Sequence, residues 1–187
     1  MENNMNHYKN PYLKPILMLL TTSIILGSIA LVVLAAYLII APLTSSVSQV
    51  SLPVLMQNGL QFAVPVHAES AGMYSIYSLV VVITLFLSLL FLFFLRKAVD
   101  SLSKKNGFTE LLPQAFRSMG LLLLLATYLR QFHLYLFLQL AGPVAHELLH
   151  FSFTPITSEV LYALALLALG KVFSYALYLQ SEYEQTV

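Results

Sequence analysis

Four long apolar stretches divide the chain, at about 15–41, 72–95, 118–140 and 157–179, and the polar residues gather between them. About 20 consecutive apolar residues in helical conformation cross the hydrocarbon core of a bilayer, so the pattern predicts four transmembrane helices. The first enters near Pro15, where a missing amide hydrogen costs nothing in the opening turn, and is expected to stop at Pro42. The second ends against Arg96 and Lys97, the third at Gly142-Pro143, the fourth near Leu179. The apolar run from Ile16 to Ala41 exceeds the roughly 7–15 residues at the centre of a cleaved signal, so it reads as a retained first span.

The connections carry their own patterns. Between 43 and 71, two β-compatible runs, Val47 to Met56 and Leu60 to Val66, flank Gln57-Asn58-Gly59. Asn-Gly between such runs predicts a β-hairpin, with Pro53 and Pro65 confined to edges or bulges. The segment 96–117 predicts a partly helical loop, with a helix start near Thr109-Glu110; its Lys104 and Lys105 suit anionic headgroups. The chain as a whole reads as one four-span domain without internal repeats.

Composition agrees with this reading. The sequence is 59% hydrophobic and 9% charged, where soluble domains carry roughly 25% charged residues. A soluble fold with this balance would expose too much apolar surface. Cysteine is absent, which excludes disulfides, thiolate catalysis and Cys-based metal sites. The net charge of +1 gives no reason to expect direct nucleic-acid binding.

The distribution of basic residues matters more than their sum. None lies between Lys14 and Arg96, and none between Arg130 and Lys171. Lys and Arg in short loops mark the cytoplasmic side, so both termini and the 96–117 loop are expected inside a bacterial cell membrane, with 43–71 outside. Without Trp, an interfacial aromatic belt falls to Tyr: Tyr8 and Tyr12 inside, Tyr74 and Tyr77 outside, and Tyr175, Tyr178 and Tyr183 inside.

Two segments carry a family resemblance. Asn106-Gly107-Phe108-Thr109, followed by Phe116-Arg117-Ser118-Met119-Gly120, resembles the loop motif of the bacterial family named domain of unknown function 2975. The tail, with Lys171-Val172-Phe173, Leu179-Gln180-Ser181-Glu182 and Thr186-Val187, is similar to that family's ending. Gly107 stands where proline is usual, and Gln185 where Asp or Leu is common. The family has no established activity, and its members sit beside small helix-turn-helix regulators in gene neighbourhoods. The resemblance therefore implies a membrane partner in regulation.

Three constellations invite chemistry. His146-Glu147-Leu148-Leu149-His150 has the zinc-protease spacing, two His one helical turn apart and a Glu able to activate bound water. Catalytic zinc also needs a third protein ligand, for which His67, Glu69 and Glu159 are the candidates. Gly142-Pro143 and Pro155 leave only a short helix for the motif, no second ligand motif follows, and the resembled family does not as a rule carry it. A short interfacial helix with its His and Glu facing water is the simpler reading.

Arg130 interrupts the third span, where a charge at the bilayer centre costs at least about 2.5–3.5 kcal/mol. Thr127, Arg130, His133, Leu134 and Phe137 follow helical spacing, flanked by Gln131 and Tyr135. Their polar members are expected to face the bundle interior together, with no acidic residue at the same depth. On the fourth span Lys171, Tyr175 and Tyr178 share a face, with Glu182 and Glu184 beyond it, and this is a candidate cytoplasmic docking surface. Gly27-Ser28 and Ala35-Ala36 permit close helix approach.

The sequence thus predicts an all-α, four-span membrane protein, N-in and C-in, with a small outer hairpin. Its role reads as non-enzymatic: a partner or sensor for a small helix-turn-helix regulator, seated in the lipid bilayer, needing no cofactor, and compatible with a homo-oligomer. A zinc-dependent membrane hydrolase and a small ion-coupled carrier lined by Arg130 and His133 are the alternatives.

Overall fold

The computed structural model describes residues 13–44, 50–56, 59–66, 71–103, 110–141 and 153–186. Helix α1 runs Leu13–Thr44, α2 Ala71–Ser103, α3 Leu111–Ala141 and α4 Ser158–Thr186; strands β1 (Val50–Met56) and β2 (Gly59–Val66) lie between α1 and α2. The strands pair antiparallel from Val50↔Val66 to Met56↔Gly59, with a register shift between Ser51 and Pro53. Gln57 and Asn58 lie outside the described residues.

All four helices are long and apolar enough to cross a membrane. Each is longer than the apolar stretch that foretells it. At about 1.5 Å per residue, the 33 residues of α2 extend about 50 Å, well beyond a hydrocarbon core of about 30 Å. The expected 96–117 loop is accordingly mostly helix, with α2 running on to Ser103 and α3 already formed at Leu111. Residues 104–109, including Lys104, Lys105 and the first half of the loop motif, lie outside the described residues. Pro42 does not end α1, which continues to Thr44.

The helices pack in chain order: α1 against α2, α2 against α3, α3 against α4, with β1 lying near α3. Within the most apolar stretches, 28% of α3 is buried but only 11% of α1, so α3 is the central element and α1 the most peripheral. α1 is apolar all round and exposes Met18, Leu26 and Val32 among others. A helix of that kind needs an apolar surrounding, which lipid supplies.

Small residues set the close contacts. A Cβ on Gly27 would fall 2.6 Å from the end of the Leu89 side chain, joining α1 to α2. On Gly120 it would meet the Leu167 side chain at 2.7 Å and the Ala163 carbonyl oxygen at 2.9 Å, so α3 and α4 approach backbone to backbone there. Gly170 makes the next such contact, against Arg117 and the Pro113 carbonyl.

Two buried clusters follow. One joins α1, α2 and α3 through Leu34, Leu38, Tyr74, Tyr77, Val81 and Phe137. The other joins α2 and α3 at their opposite ends through Ala98, Leu112, Ala115 and Met119, with Phe173 of α4 packed against it; Phe116 and Phe173 stack at 5.3 Å. Hydroxyls inside the helices are largely satisfied locally. Thr84 donates to the Val80 carbonyl at 2.7 Å and Thr127 to that of Leu123 at 2.8 Å, removing the cost of an unmatched donor in an apolar setting.

Candidate functional site

The polar residues of α3 do not form the single stripe that their spacing suggests. They divide between two helix contacts. His133 turns to α2, where its Nε2 is hydrogen-bonded to the Tyr77 hydroxyl at 2.9 Å. Both residues are fully buried, their rings lie 5.0 Å apart, and Phe137 completes the group 6.3 Å from Tyr77. Thr127 is buried too and bonds within its own helix.

Tyr74 and Tyr77, expected in an interfacial belt, are core residues. Spacing explains the difference: Tyr77, Val81 and Thr84 recur at helical intervals on the face of α2 that is buried, and Tyr74 lies one turn before. Tyr74 donates to the Leu38 carbonyl of α1 at 3.0 Å. Tyr8 and Tyr12 lie outside the described residues.

Arg130 and Gln131 turn instead to the segment that enters α4. Arg130 Nη2 donates to Glu159 Oε1 at 2.8 Å, both side chains being partly exposed. The expectation that Arg130 has no acidic neighbour at its depth is therefore corrected. Glu159 sits in the first turn of α4, and the twenty-nine-residue separation in sequence closes because α3 and α4 run antiparallel through the Gly120 contact. The carboxylate is also favoured by the positive end of the helix dipole. Thr157 caps that helix, its Oγ1 accepting from the Val160 amide at 3.4 Å, and Ser158 Oγ donates to Glu159 Oε2 at 3.3 Å.

Gln131 grips the backbone of Thr154 with both ends of its amide. Nε2 donates to the Thr154 carbonyl at 3.0 Å and Oε1 accepts from the Thr154 amide at 3.3 Å. Tyr128 donates to the Pro155 carbonyl at 3.1 Å and stacks on Phe153. Together Tyr128, Arg130 and Gln131 latch the strip 153–159 onto α3. Sequence reading missed Tyr128 and the two backbone partners. Its only signal was the adjacency of Tyr128 to Arg130 and Gln131 in a span otherwise rich in leucine.

His146, Glu147 and His150, together with the candidate third ligands His67 and Glu69, lie outside the described residues. Glu159, the other candidate ligand, has both carboxylate oxygens engaged, by Arg130 and Ser158. Among the described residues no group of three or more His, Asp or Glu could hold a metal ion.

At the far end of α4, Lys171, Tyr175, Tyr178 and Glu182 are exposed. Tyr175 and Tyr178 stack at 6.5 Å, and Tyr178 donates to Glu182. Leu179, Glu182, Tyr183 and Gln185 line a shallow open hollow there. Glu184 belongs to the last turns of the same helix.

Among the described residues these features define a class: four helices with the lengths and apolarity of membrane spans, pinned by a buried Tyr-His pair and an Arg-Glu latch. No family model, no characterised protein and no solved structure matches the chain.

Proposed function

We propose that this is a non-enzymatic multi-pass protein of a bacterial cytoplasmic membrane, with both termini inside, which serves as the membrane partner of a small cytoplasmic regulator. The observation that carries the reading is the length of α4. Its 29 residues extend about 43 Å, so a helix anchored at Glu159 outruns the hydrocarbon core and presents its last turns to water. Those turns hold Tyr178, Glu182 and Tyr183 on an exposed surface, a mixture of aromatic and acidic groups suited to a protein partner.

The basic residues support the orientation: Arg96, Lys97 and Arg117 cluster at the α2–α3 connection. With that side inside, the β1–β2 sheet and the Arg130–Glu159 latch face outward, where the latch fixes the strip entering the helix whose far end docks the partner. That the partner is a helix-turn-helix protein rests on the likeness of the loop and tail to domain of unknown function 2975.

The test is affinity purification from cross-linked native membranes, comparing the full chain with one ending at Leu179. Recovery of a DNA-binding regulator only with the full chain is the expected result. Recovery of no cytoplasmic protein by either form would overturn the reading.

A further inference from the structure

Charges on α3 and α4 fall into two layers. Arg117 and Arg130 are thirteen residues apart on α3, and Lys171 and Glu159 twelve apart on α4. At about 1.5 Å per residue both spacings are about 18–20 Å. The helices are locked in register by Gly120 and Gly170. Arg130 and Glu159 therefore meet in one layer, and Arg117 and Lys171 occupy the other. The uncharged stretch of this helix pair is well short of a hydrocarbon core of about 30 Å. By contrast, α1 has no charge from Lys14 to its end and α2 none before Arg96.

The two layers differ in how they are neutralised. Arg130 has Glu159. Arg117 and Lys171 are both exposed, and neither forms an ion pair among the described residues. The stem of Arg117 lies against Gly170, with its Cγ 2.9 Å from where a Cβ would be, and Lys171 follows Gly170 on α4, so the two exposed side chains start from neighbouring backbone positions. Both side chains are long enough for their charged ends to converge on one anion between the helices. The stacked Phe116–Phe173 pair, 5.3 Å between centroids, holds the α3 and α4 backbones together beside these two positions. Asp100 and Glu110, acidic residues at this end, form no ion pair with Arg117 or Lys171 among the described residues. In the short hydrophobic span of α3 and α4, the phosphate of a lipid drawn toward the bilayer centre is an anion within reach of both cations.

We propose that Arg117 and Lys171 form a site for the phosphodiester of an anionic membrane lipid, in the leaflet next to the α2–α3 connection. Guanidinium supplies a planar fork to two phosphate oxygens and the ammonium a point charge to the same group. Arg96 and Lys97, also exposed, add general attraction from α2. The site rests on the membrane-spanning character of the helices and is independent of any cytoplasmic partner.

The experiment is native mass spectrometry of the full chain released from vesicles of phosphatidylcholine with one-fifth phosphatidylglycerol. The expected result is a retained phosphatidylglycerol adduct on the parent protein, reduced at least tenfold in R117Q/K171Q and kept in R96Q/K97Q. The charge-preserving exchange R117K/K171R, which leaves the packing nearly unchanged, should retain the adduct and guards against a folding defect in the glutamine variant. Inorganic phosphate at millimolar concentration should not displace the lipid. Equal retention in R117Q/K171Q, loss confined to R96Q/K97Q, or displacement by free phosphate would each overturn the proposal.

Discussion

Tyr74 donates its hydroxyl hydrogen to the carbonyl oxygen of Leu38 at 3.0 Å, and Leu38 is four residues before Pro42. In a regular helix the residue at 42 would give its amide hydrogen to that carbonyl, but proline has none. The α2 tyrosine therefore occupies the acceptor that the α1 proline leaves open. This accounts for two departures from sequence expectation at once: α1 passes through Pro42 to Thr44, and Tyr74 is buried instead of lying at an interface.

Replacing Tyr74 with Phe should destabilise the protein by about 1–2 kcal/mol, because a buried carbonyl loses its donor. Adding Pro42→Ala should recover most of that loss, since the alanine amide can bond Leu38 itself. Reversible unfolding in mixed detergent micelles measures both; additive effects of the two substitutions would argue against the shared carbonyl.

The Arg130–Glu159 pair predicts a different pattern. Glu159→Gln leaves a guanidinium without its counter-charge in a largely apolar contact, so the single change should cost about 2–3 kcal/mol, short of the values for wholly enclosed pairs because both partners are partly exposed. Arg130→Met with Glu159→Gln should cost less than Glu159→Gln alone. A double-mutant cycle with coupling near zero would show that the bridge does not hold α4 to α3.

Glycine contacts separate by what a methyl group would meet. Gly120→Ala places a Cβ 2.9 Å from the Ala163 backbone oxygen, which cannot rotate away, and should cost about 1–3 kcal/mol by forcing α3 and α4 apart. Gly27→Ala meets only the end of Leu89, which can change rotamer, and should stay within about 1 kcal/mol of the parent. Thermal unfolding of the two variants side by side decides it.

Tyr77→Phe removes the hydroxyl bonded to the fully buried His133 and should cost about 1–3 kcal/mol. The replacement conserves the ring and its packing against Phe137, so the loss reports the hydrogen bond. Chemical-shift change of the His133 ring nitrogens on this substitution is the direct spectroscopic check.

The helices were legible because about 20 apolar residues leave few alternatives to a span. Their ends were not, since polar turns such as Ala98 to Ser103 and Leu111 to Arg117 are held helical by packing between α2 and α3, which no single segment reveals. Arg130 stood out in the sequence by its cost in lipid, but its partner did not. Assigning Glu159 to a different depth separated two residues that the Gly120 contact brings into one layer. The tyrosines were misplaced for a related reason: a Tyr near a span end fits a belt and a helix interface equally well, and only the packing partners Leu38 and His133 distinguish them.

The measurement that tests the central claim most directly is cysteine accessibility, for which the native chain, having no cysteine, offers no background. Asn58→Cys and Ile156→Cys probe the two connections assigned to the outside, and Glu110→Cys and Gln185→Cys the inside. In intact cells a membrane-impermeant maleimide should label the first two, and the others only after the membrane is opened. Labelling of Glu110→Cys or Gln185→Cys in intact cells, or protection of Asn58→Cys and Ile156→Cys, would contradict a four-span protein with both termini in the cytoplasm.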